Sequence, residues 1–143
     1  MTGYGLKETE LPKPSPNGDS LPYWNAAREK RLLIRLCKAC GAKHFLPRYL
    51  CPVCWSDQLD WIESKGQGTI HSSSIVHRAS LPSFASQTPY VIALIDLDEG
   101  PRMFANIIGS DSLAASIGDR VRVVFEDRAG DMLPQFSRVV GDT

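Results

Sequence analysis

Four cysteines are the residues of this 143-residue chain best placed to do chemistry. They form two Cys-x-x-Cys pairs, Cys37/Cys40 and Cys51/Cys54, with ten residues between the pairs. Each pair can wrap a tight turn around one metal ion, and Zn²⁺ favours four such soft thiolates in a closed tetrahedron. Gly41 follows the first pair and permits a backbone angle that other residues resist. Pro52 stiffens the second turn. The reading is a zinc ribbon with ligands Cys37, Cys40, Cys51 and Cys54. Four thiolates leave no position for water, so such a metal holds the fold and does no chemistry. A disulfide framework fits less well, because the N-terminus has no apolar core of a secretory signal. A redox Cys-x-x-Cys normally stands alone beside a βαβ unit, and here there are two pairs and no such unit. Iron in the same ligand set stays open.

The elements that must position these thiolates follow from pattern. Residues 1–18 carry Pro12, Pro14 and Pro16 and read as an extended or disordered arm. Residues 19–64 read as a helix followed by the ribbon. Asp19 and Ser20 resemble an N-cap, Pro22 suits the first turn, and the helix is expected to reach Lys30 or Arg31 with Leu21, Trp24 and Ala27 on its packed face. Phe45, Leu46 and Tyr49, between the knuckles, are expected to cover the metal. Leu59 to Ile62 reads as the last ribbon strand, and 64–68 as a flexible glycine joint.

Residues 65–143 read as all strands. Thr69 to Arg78, Tyr90 to Leu97, Arg102 to Ile108, Arg120 to Glu126 and Leu133 to Val140 are the five runs, with Tyr90 to Leu97 apolar enough to be covered on both faces. One helical turn is expected within 110–118. Five strands with a small helix between the third and fourth match an OB-fold. The fold class is thus mainly β: an N-terminal helix, a rubredoxin-like ribbon and a five-stranded barrel.

The composition, 43% apolar and 22% charged, is ordinary for a globular domain. The longest apolar run, Tyr90 to Ile95, is far too short to span a bilayer. Thiolates bound to metal suit a reducing compartment, so a cytoplasmic location and no membrane partner are expected. The net charge is zero but uneven: seven basic residues and one acid lie between Arg28 and Arg48, against seven basic and twelve acidic residues from Tyr49 onward. A cationic stretch of this kind can meet phosphate or an acidic protein face. A nucleic-acid-binding module is the alternative reading. Against it, the barrel is acidic, and the strands of the expected groove offer one aromatic, Tyr90, and one arginine, Arg78.

The order of helix, four-cysteine ribbon, glycine joint and barrel resembles the domain of unknown function 35 family. The phrases that carry the likeness are Pro22-Tyr23-Trp24, Cys37-x-x-Cys40-Gly41, Cys51-Pro52-x-Cys54, Gly66-x-Gly68-Thr69, Val76-His77-Arg78, Pro89-Tyr90-Val91, Asp98-Glu99-Gly100 and Gly118-Asp119-Arg120-Val121. The resemblance implies an accessory subunit beside a thiolase, a thiolase-like aldolase of steroid degradation, an acyltransferase or hydroxymethylglutaryl-CoA synthase. It implies structural zinc, a thiolase-fold partner, and a coenzyme A thioester reached through the complex.

The residues agree in what they lack: there is no Gly-x-Ser-x-Gly elbow, no phosphate-cradling glycine loop and no spare cysteine. His71 and His77, six apart on one expected strand, would share a face. Neither has a carboxylate or nucleophile beside it in sequence, so no catalytic residue is assigned. The residues expected to touch partner or acyl-CoA are Arg78, Leu81 and Phe84 around the long loop 80–89, together with Arg35 and Arg48 of the cationic stretch.

Overall fold

The computed structural model describes residues 11–139. The first seven of these run without regular structure along the chain's own barrel: Arg128 Nη1 donates to the Pro12 carbonyl at 2.9 Å, and Lys13 lies 3.5 Å from Asp131. Residues 1–10 of the expected arm lie outside the described residues.

Helix α1 spans Leu21–Arg28. It starts where Asn17 and Ser20 exchange bonds, Ser20 N–H to Asn17 Oδ1 at 2.9 Å and Asn17 N–H to Ser20 Oγ at 3.0 Å. Pro22 sits in the first turn, where a missing N–H costs nothing. The helix stops short of the expected Lys30 or Arg31 because Lys30 takes a left-handed φ of 60°, and the Arg31 N–H returns to the Ala26 carbonyl at 2.9 Å. Its buried face also differs from the expected one. Tyr23, Ala26 and Ala27 are buried, while Leu21 is exposed and Trp24 packs at the edge of the core.

The ribbon is a three-stranded antiparallel sheet in the order β2–β1–β3, with β1 Leu32–Cys37, β2 Lys43–His44 and β3 Leu59–Ser64. Strand β1 alternates against β3 from Leu32↔Ser64 to Cys37↔Leu59, which delivers Cys37 to the sheet's end.

The barrel strands are β4 Gln67–Val76, β5 Tyr90–Leu97, β6 Arg102–Ile107, β7 Arg120–Arg128 and β8 Asp131–Arg138. They close in the order β4–β5–β6–β8–β7, with β7 returning to β4. That circuit is the OB-fold connectivity. A 3₁₀ segment, Pro82–Gln87, fills the β4–β5 loop, and a single turn, Ser112–Ala114, lies between β6 and β7 as expected. Strand β5 is not covered on both sides. Val91, Ala93, Ile95 and Leu97 are buried, while Ile92, Leu94 and Asp96 are half-exposed. The high apolar content of β5 reflects an outer face that is only partly covered.

The ribbon and the barrel share one hydrophobic cluster. Tyr23, Leu32 and Ile34 pack with Ile70, Ile95, Val121 and Phe136. The segment between them is tied, not flexible. Ser64 Oγ donates to Glu99 Oε1 at 2.8 Å, and the Lys65 N–H donates to Glu99 Oε2 at 2.8 Å. Gly66 has φ 73°, and a Cβ there would collide with Val123. Its carbonyl accepts from the Val123 N–H. Glycine is required at this junction because the backbone passes against a neighbouring strand, which is the opposite of a loose linker.

Candidate metal centre

Each cysteine pair closes its knuckle the same way. In the first, the Cys37 carbonyl accepts from the Gly41 N–H at 2.8 Å, and the Cys37 N–H donates to Ala42. In the second, the Cys51 carbonyl accepts from the Trp55 N–H at 2.9 Å, and the Cys51 N–H donates to Ser56. The fifth position of each knuckle is left-handed, Gly41 at φ 80° and Trp55 at φ 67°. Trp55 thus fills with a large side chain the place that glycine takes in the other turn, and the sequence reading did not register it.

The four Sγ atoms all lie within 4.8 Å of one another. Cys37 and Cys54 are 3.6 Å apart, and Cys40 and Cys51 are 3.7 Å apart. A tetrahedron with Zn–S near 2.3 Å has S···S edges of about 3.8 Å, so the spacing fits that ion. The backbone is arranged to favour thiolate. The Val53 N–H points at Cys51 Sγ from 3.3 Å. The Cys51 thiol is drawn down to about 7, chiefly by the Cys54 and Val53 backbone N–H groups and against the cost of burial. Cys54 goes the other way: its Ser56 backbone contact favours the anion, but burial and the three neighbouring thiols push it up to about 12. Four thiolates this close need a central cation, and zinc supplies it.

His44 stands apart from this set. Its Nδ1 is 2.9 Å from the Leu46 carbonyl, and burial holds its pKa below the usual range. The aromatics expected to cover the metal do something else. Phe45 packs edge-on against Tyr23 at 5.6 Å, while Leu46 is half-exposed and Tyr49 is 73% exposed. With Val53 at 69% and Trp55 at 74%, the knuckles present large apolar side chains to solvent.

Arg35 and Arg48 come together. Both line a cavity of about 280 Å³ with Tyr49, Trp61, Asp19 and Asp57. Arg35 lies over the Trp61 ring at 4.2 Å, and its buried Nε has no hydrogen-bond partner among the described residues. Burial lowers its pKa below the usual arginine value. Three of the seven basic residues of the cationic stretch are paired within the chain: Arg28 with Asp131, Arg31 with Glu29 and Glu63, and Lys38 with Asp60. The expected basic face is therefore weaker than the count of charges implies, which reduces the support for the nucleic-acid reading.

The loop residues separate. Arg78 is exposed just beyond β4, and Leu81 is 47% exposed. Phe84 folds back, its ring 6.0 Å from Tyr90 and 5.7 Å from the Arg128 guanidinium. Arg128, which sequence reasoning missed, joins Phe84, Glu126 and Pro12. His71 and His77 do not share a strand face, because a bulge lies between Ile70 and Ser72 and β4 ends at Val76. His71 does have a carboxylate near it in space: its Nδ1 is 3.6 Å from Asp96, which is bound more tightly by Arg102. No helix among the described residues is long and apolar enough to cross a membrane.

Residues 24–60 match the family described as "ChsH2, rubredoxin-like zinc ribbon domain", and residues 61–126 match "ChsH2, C-terminal OB-fold domain". The chain is 36% identical over 104 residues to a DUF35 domain-containing scaffold protein of Methanocaldococcus jannaschii, covering 71% of this chain and 73% of that one. It is 37% identical over 98 residues to a probable enoyl-CoA hydratase alpha subunit of Thermomonospora curvata, covering 68% of this chain but only 30% of that longer protein. Over 94 residues it is 30% identical to the benzoylsuccinyl-CoA thiolase subunit BbsA of Geobacter metallireducens, covering 66% of this chain and 56% of that one. In three dimensions it resembles a chain of the Ltp2-ChsH2(DUF35) aldolase, with TM-score 0.79 and 32% identity, covering 90% of this chain and all of that one. The chain belongs to the DUF35 family, in which a rubredoxin-like zinc ribbon precedes an OB-fold.

Proposed function

We propose that this chain is the non-catalytic accessory subunit of a thiolase-like acyl-CoA enzyme, which it stabilises and whose acyl-CoA site it helps to form. The observation that carries this reading is the likeness over the whole fold to a chain found within an aldolase assembly. The thiolase subunit among its relatives points the same way. Cys37, Cys40, Cys51 and Cys54 hold the zinc, and their closed shell leaves the ion no open position for substrate or water. The metal sets the ribbon's shape, and the ribbon's exposed apolar side chains belong against another polypeptide.

The cavity joining Arg35 and Arg48 is the proposed contact to the phosphates of coenzyme A. Its planar, partly desolvated guanidinium on Trp61 suits a phosphate better than a lysine would. Arg78 and Leu81, exposed at the end of β4, face the partner.

The test is to produce the chain alone and together with a thiolase-fold subunit encoded beside it. A stable hetero-oligomer by light scattering is expected, with acyl-CoA turnover in the complex and none in this chain by itself. Turnover by the isolated chain, or failure to assemble with any such subunit, would overturn the reading.

A further inference from the structure

The barrel of this protein is closed by very little on one side. Strands β6 and β8 pair at a single position, Ile107↔Phe136, where the Ile108 N–H reaches the Phe136 carbonyl at 2.8 Å. One step further along, the ladder is already replaced by a side chain: the Asn106 N–H donates to Gln135 Oε1 at 2.8 Å. Gln135 is buried and is held in turn by Glu126. Pro134, next in β8, has no N–H to offer.

This leaves part of β6 with a free edge. Asn106 and Ile108 turn their amides toward β8, away from β5. In an antiparallel ladder the direction alternates residue by residue, so Phe104 and Arg102 turn theirs the same way. Among the described residues no strand lies opposite them. What lies there is an apolar slit of about 350 Å³ between β6 and β8, walled by α1 and the ribbon. Tyr23, Trp24, Leu46 and Leu133 line it, and Met103 forms part of its inner surface. At its mouth Phe104 is 61% exposed and Leu46 is 53% exposed.

We infer that the slit between β6 and β8 seats an extended segment of the partner subunit, which adds to the free edge of β6 and places an apolar side chain against Phe104, Leu46 and Leu133. A row of outward amides and carbonyls with strand spacing is satisfied by another backbone, and the pocket beside it selects one side chain of that backbone. An acyl chain could fill the apolar volume but would leave the β6 amides unpaired. The inference rests on the proposed accessory role and adds where and how the partner is held.

Hydrogen exchange at the amides of Arg102 and Phe104, measured in the chain alone and in its complex with the thiolase-fold subunit, tests it. Both amides are expected to exchange fast in the free chain and to become protected in the complex. Phe104→Glu and Leu46→Glu, each at a solvent-facing position, are expected to weaken assembly by about tenfold or more. Ile117→Glu, exposed but outside the slit, is expected to leave assembly unchanged. Zinc content and urea midpoint report whether each variant is folded. A complex that forms while amides 102 and 104 stay unprotected, or one indifferent to Phe104→Glu, refutes the strand-addition site and leaves the accessory role standing. A wild-type chain that binds no thiolase-fold subunit removes both. Protection of these amides by an acyl-CoA in the absence of partner would also overturn the inference.

Discussion

Trp55 occupies in the second cysteine knuckle the position that Gly41 holds in the first: each donates its N–H to the carbonyl of the leading cysteine, and each has a left-handed backbone. A bulky residue there is strained by about 1–2 kcal/mol, and with 74% of its surface exposed Trp55 regains little of that through packing. Trp55→Gly is therefore expected to retain zinc and to raise the urea midpoint slightly, while weakening assembly with the partner. A loss of zinc in this variant, read by elemental analysis, would show that the indole supports the metal site itself.

The metal is expected to be structural in the strict sense. Replacing any one of Cys37, Cys40, Cys51 or Cys54 by serine should abolish stoichiometric zinc and melt the ribbon sheet, because ligand binding and folding are the same event in such sites. Chelator treatment should do the same reversibly. Circular dichroism with zinc titration checks both, and a variant that keeps full zinc would remove that cysteine from the ligand set.

The junction between ribbon and barrel offers a sharper stability test. Glu99 accepts from Ser64 Oγ and from the Lys65 N–H, so Glu99→Ala strips two bonds and leaves the buried Ser64 O–H without its acceptor, while its oxygen still accepts from the Gly66 N–H at 2.9 Å. The expected cost is about 1–3 kcal/mol in urea unfolding. Gly68→Ala should cost a similar amount, about 1–3 kcal/mol, because a Cβ there would stand 2.6 Å from the Asp96 carbonyl oxygen. Gly41→Ala meets no atom within 4 Å and should show backbone strain alone.

Acid should expose the surface ion pairs in a defined direction. A side-chain hydrogen bond from Arg120 holds the Asp98 carboxyl below its usual range, and Arg102 does the same for Asp96. The unfolded chain therefore binds protons before the folded one does as pH falls. The stabilisation is complete above the unfolded value of about 3.9 and is lost as pH falls through the lower folded values. Asp98→Asn should lower the urea midpoint at neutral pH, and its difference from wild type should shrink toward pH 3 or so. A difference that stays constant with pH would assign the effect to packing instead.

Arg128 pins two segments that are far apart in sequence, bonding the Pro12 carbonyl and lying over Phe84. Arg128→Ala is expected to release both the stretch before α1 and the loop 80–89, seen as faster proteolysis in each. Unchanged cleavage rates would mean that the loop is held by its own 3₁₀ turn.

The sequence by itself determined the four-thiolate centre, the order of helix, ribbon and barrel, and the place of each barrel strand, although only Tyr90–Leu97 has both limits as expected. These depend on ligand chemistry and on two-residue alternation, both of which are local in the chain. Where several nearby signals competed, local reading erred: Lys30 stopped the helix early through a left-handed turn, and the apolar strand β5 proved half-covered. Only the tertiary structure decided which charges are free. Arg28, Arg31 and Lys38 looked available until Asp131, Glu63 and Asp60 came beside them. It alone turned Gly66 from a hinge into a tight crossing against Val123. It alone opened the slit at β6, because a missing ladder is a property of two strands distant in sequence, and neither shows by its own pattern that the other fails to pair with it.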